Sequence, residues 1–385
     1  MKKFLLFLVC VISISASGII CVSALAESSP PGNSAKAAVL IHGDTGTVLF
    51  EQNADDRMLV ASTTKIMTAF VVLENCAPEE EIEIKSEYCG IEGSSMYLSA
   101  GTTRKTEELL YGLMLASGND AAVALAHHVG GTIEGFAAMM NEKAEELGLE
   151  NSHFTNPHGL DAEEHYSSAR DLAVITSEAM KNDKFREIVS TRSVNLEGLT
   201  FVNHNKLLWN YEGTVGGKTG YTMAAGRSLV SCAEREGMLL ICVTLSDPDD
   251  WNDHTALYDW GFDNYRYEQI VNTDEITKIP VISGEVERIG VAAERELSLL
   301  LKKDDIVDRC YELPRFAYAA VTDGERAGAV VVRVNDEVVV RIELSYTRGV
   351  SIADGIRLSV WEKIRRAWLL SSKFGGIKYG YYGTI

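Results

Sequence analysis

The feature that most constrains this chain is a serine followed three residues later by a lysine, at the start of an apolar run. Two threonines separate Ser62 from Lys65, and residues 66–73 are almost entirely apolar. A serine ahead of such a run is typical of a helix start. Residues three apart on a helix share a face, so we expect Lys65 to reach the Ser62 hydroxyl. A buried lysine can lose its charge and act as the base that activates a serine nucleophile.

Taken alone, this spacing is more typical of a helix-capping serine beside a solvated lysine. Two later segments change the interpretation. Ser117-Gly118-Asn119 follows an apolar run that ends at Leu115. Lys218-Thr219-Gly220 follows two further glycines. A Ser-x-x-Lys, a Ser-x-Asn and a Lys-Thr-Gly element in this order form a known catalytic set of acyl-transfer enzymes.

Length and charge limit the classes of function. The chain has 385 residues, of which 46% are hydrophobic and 24% charged, as expected for a globular protein of about two domains. Its net charge of −19 disfavours nucleic acid as a partner, because a polyanion would be repelled.

The first 26 residues have the pattern of an export signal. Lys2 and Lys3 precede an apolar run that extends to Ile20, and residues 24–26 fit a small-x-small cleavage site. We expect residues 1–26 to be removed, the alternative being a permanent N-terminal membrane anchor. The protein is therefore predicted to be exported.

The cysteines predict little chemistry. No Cys-x-x-Cys pair occurs, so the spacing favours neither a zinc site nor a thioredoxin-type centre. Cys232 and Cys242 lie in apolar runs and are expected to be buried thiols. A disulfide between Cys76 and Cys89 stays open for an exported protein.

The order of elements predicts an α+β fold. Two strands precede the Ser62 helix, a run of helices follows to about Met180, and a hairpin lies beside the Lys218 segment. We expect the first and last strands to share one antiparallel sheet covered by a helical cluster. Residues 27–264 form the predicted catalytic domain, and short β-rich runs predict a small β-sandwich-like domain over residues 265–350.

The tail, residues 351–385, changes character again. It has six basic and two acidic residues, although the rest of the chain is acidic. One face of a predicted helix collects its apolar and tryptophan residues: Val360, Trp361, Ile364, Ala367 and Trp368. Such a helix is typical of a segment lying on an anionic membrane surface, the alternative being packing on its own protein.

On these motifs, the chain resembles the low-molecular-mass penicillin-binding proteins, specifically the serine D-alanyl-D-alanine carboxypeptidases of Gram-positive bacteria. The resemblance extends over nearly the whole chain, including the order of signal, catalytic domain, β domain and amphipathic tail. It rests on Ser62-Thr63-Thr64-Lys65, residues 113–120, Asn156-Pro157-His158-Gly159-Leu160-Asp161 and residues 217–222. It implies a β-lactamase/transpeptidase-like fold, peptidoglycan stem peptides as substrates and β-lactam antibiotics as covalent inhibitors.

The resemblance also implies roles for individual residues. Ser62 would attack the carbonyl between two D-alanines, with Lys65 as base, Ser117 as proton relay and Asn119 as hydrogen-bond partner. On the substrate side, the binding residues would be Lys218, Thr219, Gly220 and Tyr221. The backbone N–H groups of Ser62 and Tyr221 would form the oxyanion hole. No metal or cofactor is needed for this chemistry.

One histidine and one missing arginine also bear on the predicted site. His158 lies in the Asn-Pro-His-Gly segment, which resembles a structural loop of the family, so His158 is left out of the catalytic set. Some relatives have an arginine after the last strand of the catalytic domain. Residues 246–254 contain none, so the binding of the substrate carboxylate is expected to rest on Lys218 and Thr219.

Three alternatives remain open at this stage. A class A β-lactamase would need a Glu-x-x-Leu-Asn stretch, and the segment at Glu146 lacks the asparagine. A non-catalytic muropeptide-binding sensor would usually have lost a motif residue, and none is lost here. A D,D-endopeptidase acting on cross-linked muropeptides cannot be separated from a carboxypeptidase by sequence.

Overall fold

The computed structural model describes residues 29–196, 198–357 and 359–365. The predicted signal segment and the end of the predicted tail helix lie outside the described residues.

The secondary structure of residues 29–264 begins with strands, continues with a run of helices and returns to strands. The strands are β1 (Ala37–His42), β2 (Val48–Gln52), β3 (Glu81–Glu83), β4 (Thr103–Lys105), β5 (Ser193–Leu196), β6 (Leu199–Val202), β7 (Thr214–Thr222), β8 (Gly226–Arg235) and β9 (Met238–Leu245). The helices are α1 (Lys65–Asn75), α2 (Thr106–Leu115), α3 (Asn119–Gly130), α4 (Ile133–Glu146), α5 (Ala169–Ala179), α6 (Asp183–Ser190), α7 (Leu207–Asn210) and α8 (Asp250–Asn264).

One five-stranded antiparallel sheet organises this region, in the order β2-β1-β9-β8-β7. The first strand pairs with the last along its length, with Ala37 opposite Leu245 and His42 opposite Leu240. The prediction that the terminal strands share one sheet is therefore confirmed. The strand that contains Lys218 is an edge strand, so one side of its backbone is not covered by another strand.

The two faces of the sheet bury different partners because side chains alternate along a strand. Val39 and Ile41 of β1 belong to a core shared with α1 to α6. Leu40, between them, packs in a second core with Leu257 and Tyr258 of α8. Helices therefore cover both faces of the sheet.

Within the helical cluster, α1 and α3 run side by side in the same direction. Lys65, the first residue of α1, is hydrogen-bonded to Asn119, the first residue of α3. Cys76, which follows the last turn of α1, lies near His128 in the last turn of α3. The two N-termini are thus brought together at one end of the pair, and the two C-termini at the other.

Residues after 264 form β structure with a core of their own. The strands are β10 (Tyr265–Val271), β11 (Glu275–Ile282), β12 (Arg288–Ala293), β13 (Leu297–Lys302), β14 (Val307–Glu312), β15 (Ala317–Tyr318), β16 (Arg326–Val334) and β17 (Glu337–Tyr346). A six-stranded sheet has the order β14-β16-β17-β12-β11-β15, and β10 pairs with β13. Its core is apolar, with Ile289, Val330 and Leu344 fully buried. The predicted fold class, an α+β region followed by a small all-β region, is confirmed.

The tail begins with a helical turn over residues 360–365. Val360, Trp361 and Ile364 are 71%, 80% and 54% exposed there. Within the described part of the chain, no helix is both long and apolar enough to cross a membrane.

Candidate active site

Ser62 lies in a turn of 3-10 helix, Ala61–Thr64, that leads directly into α1. The Nζ atom of Lys65 lies 2.9 Å from the Oγ atom of Ser62. Ser62 is half-buried, whereas Lys65 is completely buried. The backbone of Ala61 has a φ of +49°, which is strained for a side chain with a Cβ and holds the serine at the sharp start of the helix.

Lys65 is surrounded by oxygen atoms at short distance. Besides Ser62, its Nζ atom contacts Asn119 Oδ1 at 2.7 Å and the main-chain carbonyl oxygen of His158 at 2.7 Å. Burial holds the pKa of Lys65 well below its ordinary value, and the charge of Lys218 lowers it further. Asp120 acts in the opposite direction. A lysine in this environment therefore loses its proton more readily than a lysine in water.

The three oxygen atoms around Lys65 match the three donors of an ammonium group, and they can also hold the neutral amine. An uncharged amine has two N–H donors and one lone pair. The Asn119 and His158 oxygens can only accept, so they take the two donors. In the structure the Lys65 Nζ atom donates to the Ser62 Oγ atom; once Lys65 is uncharged, its lone pair can accept the Ser62 proton. This arrangement is that of a nucleophile already hydrogen-bonded to its base.

Asn119 has its amide orientation fixed from both sides. Its Oδ1 atom accepts from Lys65, while its Nδ2 atom donates to the carbonyl oxygen of Glu92 at 2.5 Å. Its backbone N–H donates to the carbonyl oxygen of Ser94 at 2.8 Å. A loop around residues 92–94 therefore holds the amide with its oxygen toward the lysine.

Asp120 is a residue that sequence reasoning missed. Its buried carboxylate accepts from the Ser95 hydroxyl at 2.6 Å and from the backbone N–H groups of Met96 and Leu98 at 2.9 and 3.0 Å. These contacts attach the loop beside the site to the start of α3. An acid directly after the Ser-Gly-Asn motif, at a helix start, was the only sequence signal for it.

Ser117 lies between α2 and α3 with its backbone in the left-handed region, at a φ of +60°. It is only 4% exposed. A buried serine held in a strained backbone conformation is the kind of group that is found at functional sites.

The Asn-Pro-His-Gly segment packs against the helix that contains the lysine. The Oδ1 atom of Asn156 accepts from the N–H groups of His158 and Gly159, which fixes a tight turn. Thr68 of α1 donates its hydroxyl hydrogen to the carbonyl oxygen of Pro157 at 2.6 Å. Gly159 has a φ of +85°, and a Cβ there would lie 1.9 Å from the carbonyl oxygen of Ala61. Only glycine fits this approach.

His158 acts on the site through its backbone. Its carbonyl oxygen contacts Lys65, and its Nδ1 atom accepts from the N–H of Leu160 at 3.2 Å. Burial, followed by the charges of Lys65 and His165, lowers the pKa of His158 to about 4, so the ring is neutral at pH 7. Sequence reasoning did not identify the contact from the carbonyl oxygen to Lys65, because main-chain atoms leave no signal in residue types.

The edge strand β7 lies against the Ser62 turn. A Cβ at Gly220 would be 3.0 Å from the carbonyl oxygen of Val60 and 3.1 Å from the backbone nitrogen of Ser62. Lys218, two residues earlier, is buried and donates from Nζ to the Thr219 carbonyl oxygen at 2.7 Å. Burial lowers the pKa of Lys218 to about 7. The strand thus places a second buried lysine near the first.

Thr219 and Tyr221 point to the other face of β7. Thr219 is half-buried and Tyr221 is 66% exposed. Tyr221 pairs in register with Arg227 of β8, whose guanidinium is ion-paired with Asp250. Residues 246–254, which follow β9, contain no arginine, and Arg227 lies one strand earlier, on β8.

The eight predicted site residues fall into two adjacent sets. One set comes from the helical cluster and has three members in direct contact: Ser62, Lys65 and Asn119. Ser117 precedes Asn119 in the same loop. The other set lies consecutively on the edge strand: Lys218, Thr219, Gly220 and Tyr221. Gly220 is where the strand approaches the Ser62 turn.

Comparison with known proteins identifies the family of the chain. The peptidase S11 family, described as D-alanyl-D-alanine carboxypeptidase, matches residues 24–249. The chain is 33% identical over 329 residues to the D-alanyl-D-alanine carboxypeptidase DacF of Bacillus subtilis (strain 168), covering 81% of this chain and 85% of that protein. It is also 33% identical over 299 residues to DacA of Escherichia coli (strain K12), covering 72% and 73% of the two chains.

Solved structures show the same architecture. Penicillin binding protein 5 from Haemophilus influenzae superposes with a TM-score of 0.67 at 30% identity, covering 84% of this chain and 99% of that one. Penicillin binding protein 6B from Escherichia coli gives a TM-score of 0.67 at 28% identity, covering 82% and 96%. The family resemblance expected from the motifs is therefore confirmed, and this chain belongs to the D-alanyl-D-alanine carboxypeptidase family of serine peptidases.

Proposed function

We propose that this enzyme removes the terminal D-alanine from peptidoglycan stem pentapeptides through an acyl-enzyme formed on Ser62. The observation that supports this most strongly is the 2.9 Å contact between the buried Lys65 amine and the Ser62 hydroxyl. The same serine would be acylated by β-lactam antibiotics. The comparisons do not favour a β-lactamase, an endopeptidase or a non-catalytic sensor.

Acylation begins with proton transfer from Ser62 to Lys65. The Ser62 oxygen attacks the carbonyl carbon between the two D-alanines, and the electron pair of the C=O bond moves onto its oxygen. The backbone N–H groups of Ser62 and Tyr221 would stabilise this oxyanion. The close approach of Gly220 to the Ser62 nitrogen supports the pairing, because it sets the two backbone segments side by side.

The departing D-alanine needs a proton on its nitrogen when the C–N bond breaks. Ser117 is buried and lies two residues before Asn119, which contacts Lys65, so its hydroxyl is suited to relay the proton from Lys65 to that nitrogen. Water then attacks the acyl-enzyme, with Lys65 again taking a proton. The shortened peptide leaves and Ser62 is restored.

The substrate is placed as an added strand along β7. An edge strand offers backbone hydrogen bonds to an extended peptide. Lys218 supplies positive potential toward the terminal carboxylate and Thr219 a hydroxyl hydrogen bond. Gly220 leaves space for the peptide at the turn that contains Ser62.

The first test compares two substrates. The wild type is incubated with a stem pentapeptide and with a cross-linked dimer, and the products are identified by mass. We expect loss of one alanine from the pentapeptide and little cleavage of the dimer. Cleavage of the dimer alone would contradict the proposed carboxypeptidase activity and would indicate an endopeptidase.

Covalent labelling tests the nucleophile. A fluorescent penicillin should label the wild type and leave Ser62→Ala unlabelled. Ser34→Ala is a matched control, since Ser34 hydrogen-bonds Asp247 and Asp253 away from the motifs. Undiminished labelling of Ser62→Ala would overturn the assignment.

We further propose that the protein is exported, loses residues 1–26 and lies on the outer face of the cytoplasmic membrane through its tail. Exposed Trp361 and Ile364 at the start of the tail helix support this, together with the excess of basic residues. The chain without residues 1–26 should float with anionic liposomes and more weakly with neutral ones. A further truncation after Arg348 should still bind penicillin without floating. Equal flotation of the truncated form would contradict an anchor in the tail.

A further inference from the structure

A second cluster of reactive side chains lies at the far ends of the two helices that begin at the active site. Cys76 follows the last turn of α1, His128 is in the last turn of α3, and Glu80 lies in the turn between α1 and β3. One ligand atom from each of the three lies within 4.8 Å of the others. Within the described residues, this is the one group of His, Cys and acidic side chains with such geometry.

The contacts within the cluster are short and directed. The Sγ atom of Cys76 lies 3.2 Å from a carboxylate oxygen of Glu80, and the other oxygen lies 2.8 Å from His128 Nε2. In a tetrahedral zinc site, metal–ligand distances of about 2.0–2.3 Å put neighbouring ligand atoms roughly 3.3–3.8 Å apart. Small outward movements of these side chains would bring them to that spacing. Cys76 is 8% exposed and the other two face solvent, so an ion has an entry path.

The backbone around the cluster is already fixed. The N–H of Cys76 donates to the Val72 carbonyl oxygen, and the N–H of Thr106 donates to that of Glu80, both at 2.9 Å. The Thr106 hydroxyl lies 3.1 Å from the Cys76 sulfur and also donates to the Glu80 carbonyl oxygen. Turned toward the sulfur, the same hydroxyl hydrogen can be donated to a Cys76 thiolate, which would make Thr106 an outer-shell partner of the ligand.

We propose that Cys76, Glu80 and His128 bind one Zn²⁺ ion. A thiolate, an imidazole and a carboxylate are the ligand types that zinc takes, whereas calcium and magnesium prefer oxygen atoms alone. The metal would replace the thiol proton, which goes to solvent, and would bind His128 through its neutral Nε2 atom. Two anionic ligands then balance the charge of the ion, and water completes the four positions.

Such an ion would have a structural role. It would join the C-terminal ends of α1 and α3, whose N-terminal ends contain Lys65 and Asn119. The eleven residues of α1 separate the two sites by about 16 Å, at 1.5 Å per residue. The ion therefore takes no part in acylation, and it should stabilise the helix pair that holds the site together.

The first experiment uses the purified wild type, stripped with a chelator, and Co²⁺ as a spectroscopic probe for Zn²⁺. We expect one equivalent of Co²⁺ to give a near-ultraviolet band from sulfur-to-metal charge transfer, which only a thiolate ligand produces. One equivalent of Zn²⁺ should abolish the band. Absence of the band in the wild type would overturn the proposal.

Matched variants locate the site. Cys76→Ser and His128→Gln should weaken Zn²⁺ binding by more than about 100-fold, beyond the effect of losing an outer-shell partner. The neighbouring residues provide controls, because Cys89 and His127 lie outside the cluster: Cys89→Ser and His127→Gln should bind as the wild type does. The proposed zinc site would be rejected if Cys76→Ser bound Zn²⁺ as the wild type does, or if Cys89→Ser lost as much affinity as Cys76→Ser.

Two further measurements make the result independent of folding and of catalysis. Covalent penicillin labelling should persist in all four variants, which shows that they are folded. Zn²⁺ should raise the thermal midpoint of the wild type and not that of Cys76→Ser, as expected when a ligand binds only the folded state. A wild-type midpoint that does not respond to Zn²⁺ would also count against the site.

Discussion

The catalytic region, residues 29–264, and the C-terminal sheet region that follows it differ in whether polar side chains are buried in the core. They are called the first and the second region below. Among the residues that the structure describes, every buried lysine, aspartate, asparagine and histidine lies at or before His254. After that point the described core is apolar, as at Val330 and Leu344, and the charged side chains are at least partly exposed. Arg341 pairs with Glu312 there with both side chains about 40% exposed.

The difference shows that the first region contains destabilising features that are suited to catalysis. Removing a lysine from water is unfavourable unless its charge is lost or balanced, and the first region does this twice, at Lys65 and Lys218. It also holds Ser117 in a strained backbone conformation. Among its described residues, the second region buries no whole lysine, aspartate, asparagine or histidine side chain in its core.

The largest effect should come from replacing the buried lysine of the first region. Lys65→Arg keeps a cation but cannot supply a neutral base, because arginine does not lose its proton in a protein. We expect the rate of penicillin acylation to fall at least about 1,000-fold. Stopped-flow or gel-based labelling measures it.

Lys143→Arg is the control for that substitution. Lys143 is paired with Glu74 and Glu146 at the surface of α4, so its variant should acylate normally. Acylation of Lys65→Arg at near wild-type rate would mean that Lys65 acts only through its charge.

The next effect compares two glycines, one from each region. Gly159→Ala places a Cβ 1.9 Å from the Ala61 carbonyl oxygen, in a loop whose His158 carbonyl oxygen contacts Lys65. Gly324 also has a positive φ, of +72°, but nothing lies within 4 Å of its Cβ position. We expect Gly159→Ala to lose about 2–4 kcal/mol of unfolding free energy and Gly324→Ala about 1 kcal/mol.

Denaturant unfolding measures the two losses, and penicillin labelling shows their consequence. Gly159→Ala should acylate about 10–100-fold more slowly, since the carbonyl oxygen on Lys65 is displaced. Gly324→Ala should acylate as the wild type does. Equal behaviour of the two variants would show that the loop does not position the lysine.

A smaller effect concerns the pH dependence that the second buried lysine produces. Burial lowers the pKa of Lys218 to about 7, so its positive charge is present below that pH and is lost above it. Attraction of the ligand carboxylate should therefore weaken as pH rises through about 7. Lys65, which must be neutral, sets the acid side of the profile.

The Lys218→Arg variant separates the alkaline side of the pH profile from the acid side. Arginine stays charged, so the alkaline fall in the acylation rate constant should disappear, even if the rate itself is lower by about 10-fold because of the larger side chain. The rate constant measured from about pH 5 to 9 gives the shape. An unchanged alkaline fall in Lys218→Arg would assign it to another group.

The elements and the motif residues could be predicted from the sequence because their signals are local. The spacing of Ser62 and Lys65 on a helix start predicted their contact, which the structure shows at 2.9 Å. The apolar runs around Cys232 and Cys242 predicted buried thiols, and both are fully buried. Cys76 and Cys89 are free thiols, so the disulfide left open between them is not formed.

What the sequence could not predict depends on contacts between distant segments. The carbonyl oxygen of His158 meets Lys65 across 93 positions, and a backbone atom has no residue signature. Cys76 and His128 meet only because α1 and α3 run in parallel, so no short motif marks them. The division of the chain near residue 264 and the roles of the site residues remain predictions.

The smallest expected effect is at the surface of the second region, and it tests whether that region influences the site at all. Arg341→Ala removes a guanidinium that pairs with Glu312 across β17 and β14, with both side chains in contact with water. Exposed pairs contribute less than about 1 kcal/mol, since solvent screens both charges. We therefore expect a loss below about 1 kcal/mol in denaturant unfolding and no change in penicillin acylation. A double-mutant cycle with Glu312→Ala isolates the pair. A fall in acylation would mean that the two regions are coupled, and the contrast between a buried, reactive lysine and an exposed, supporting arginine would no longer follow from burial alone.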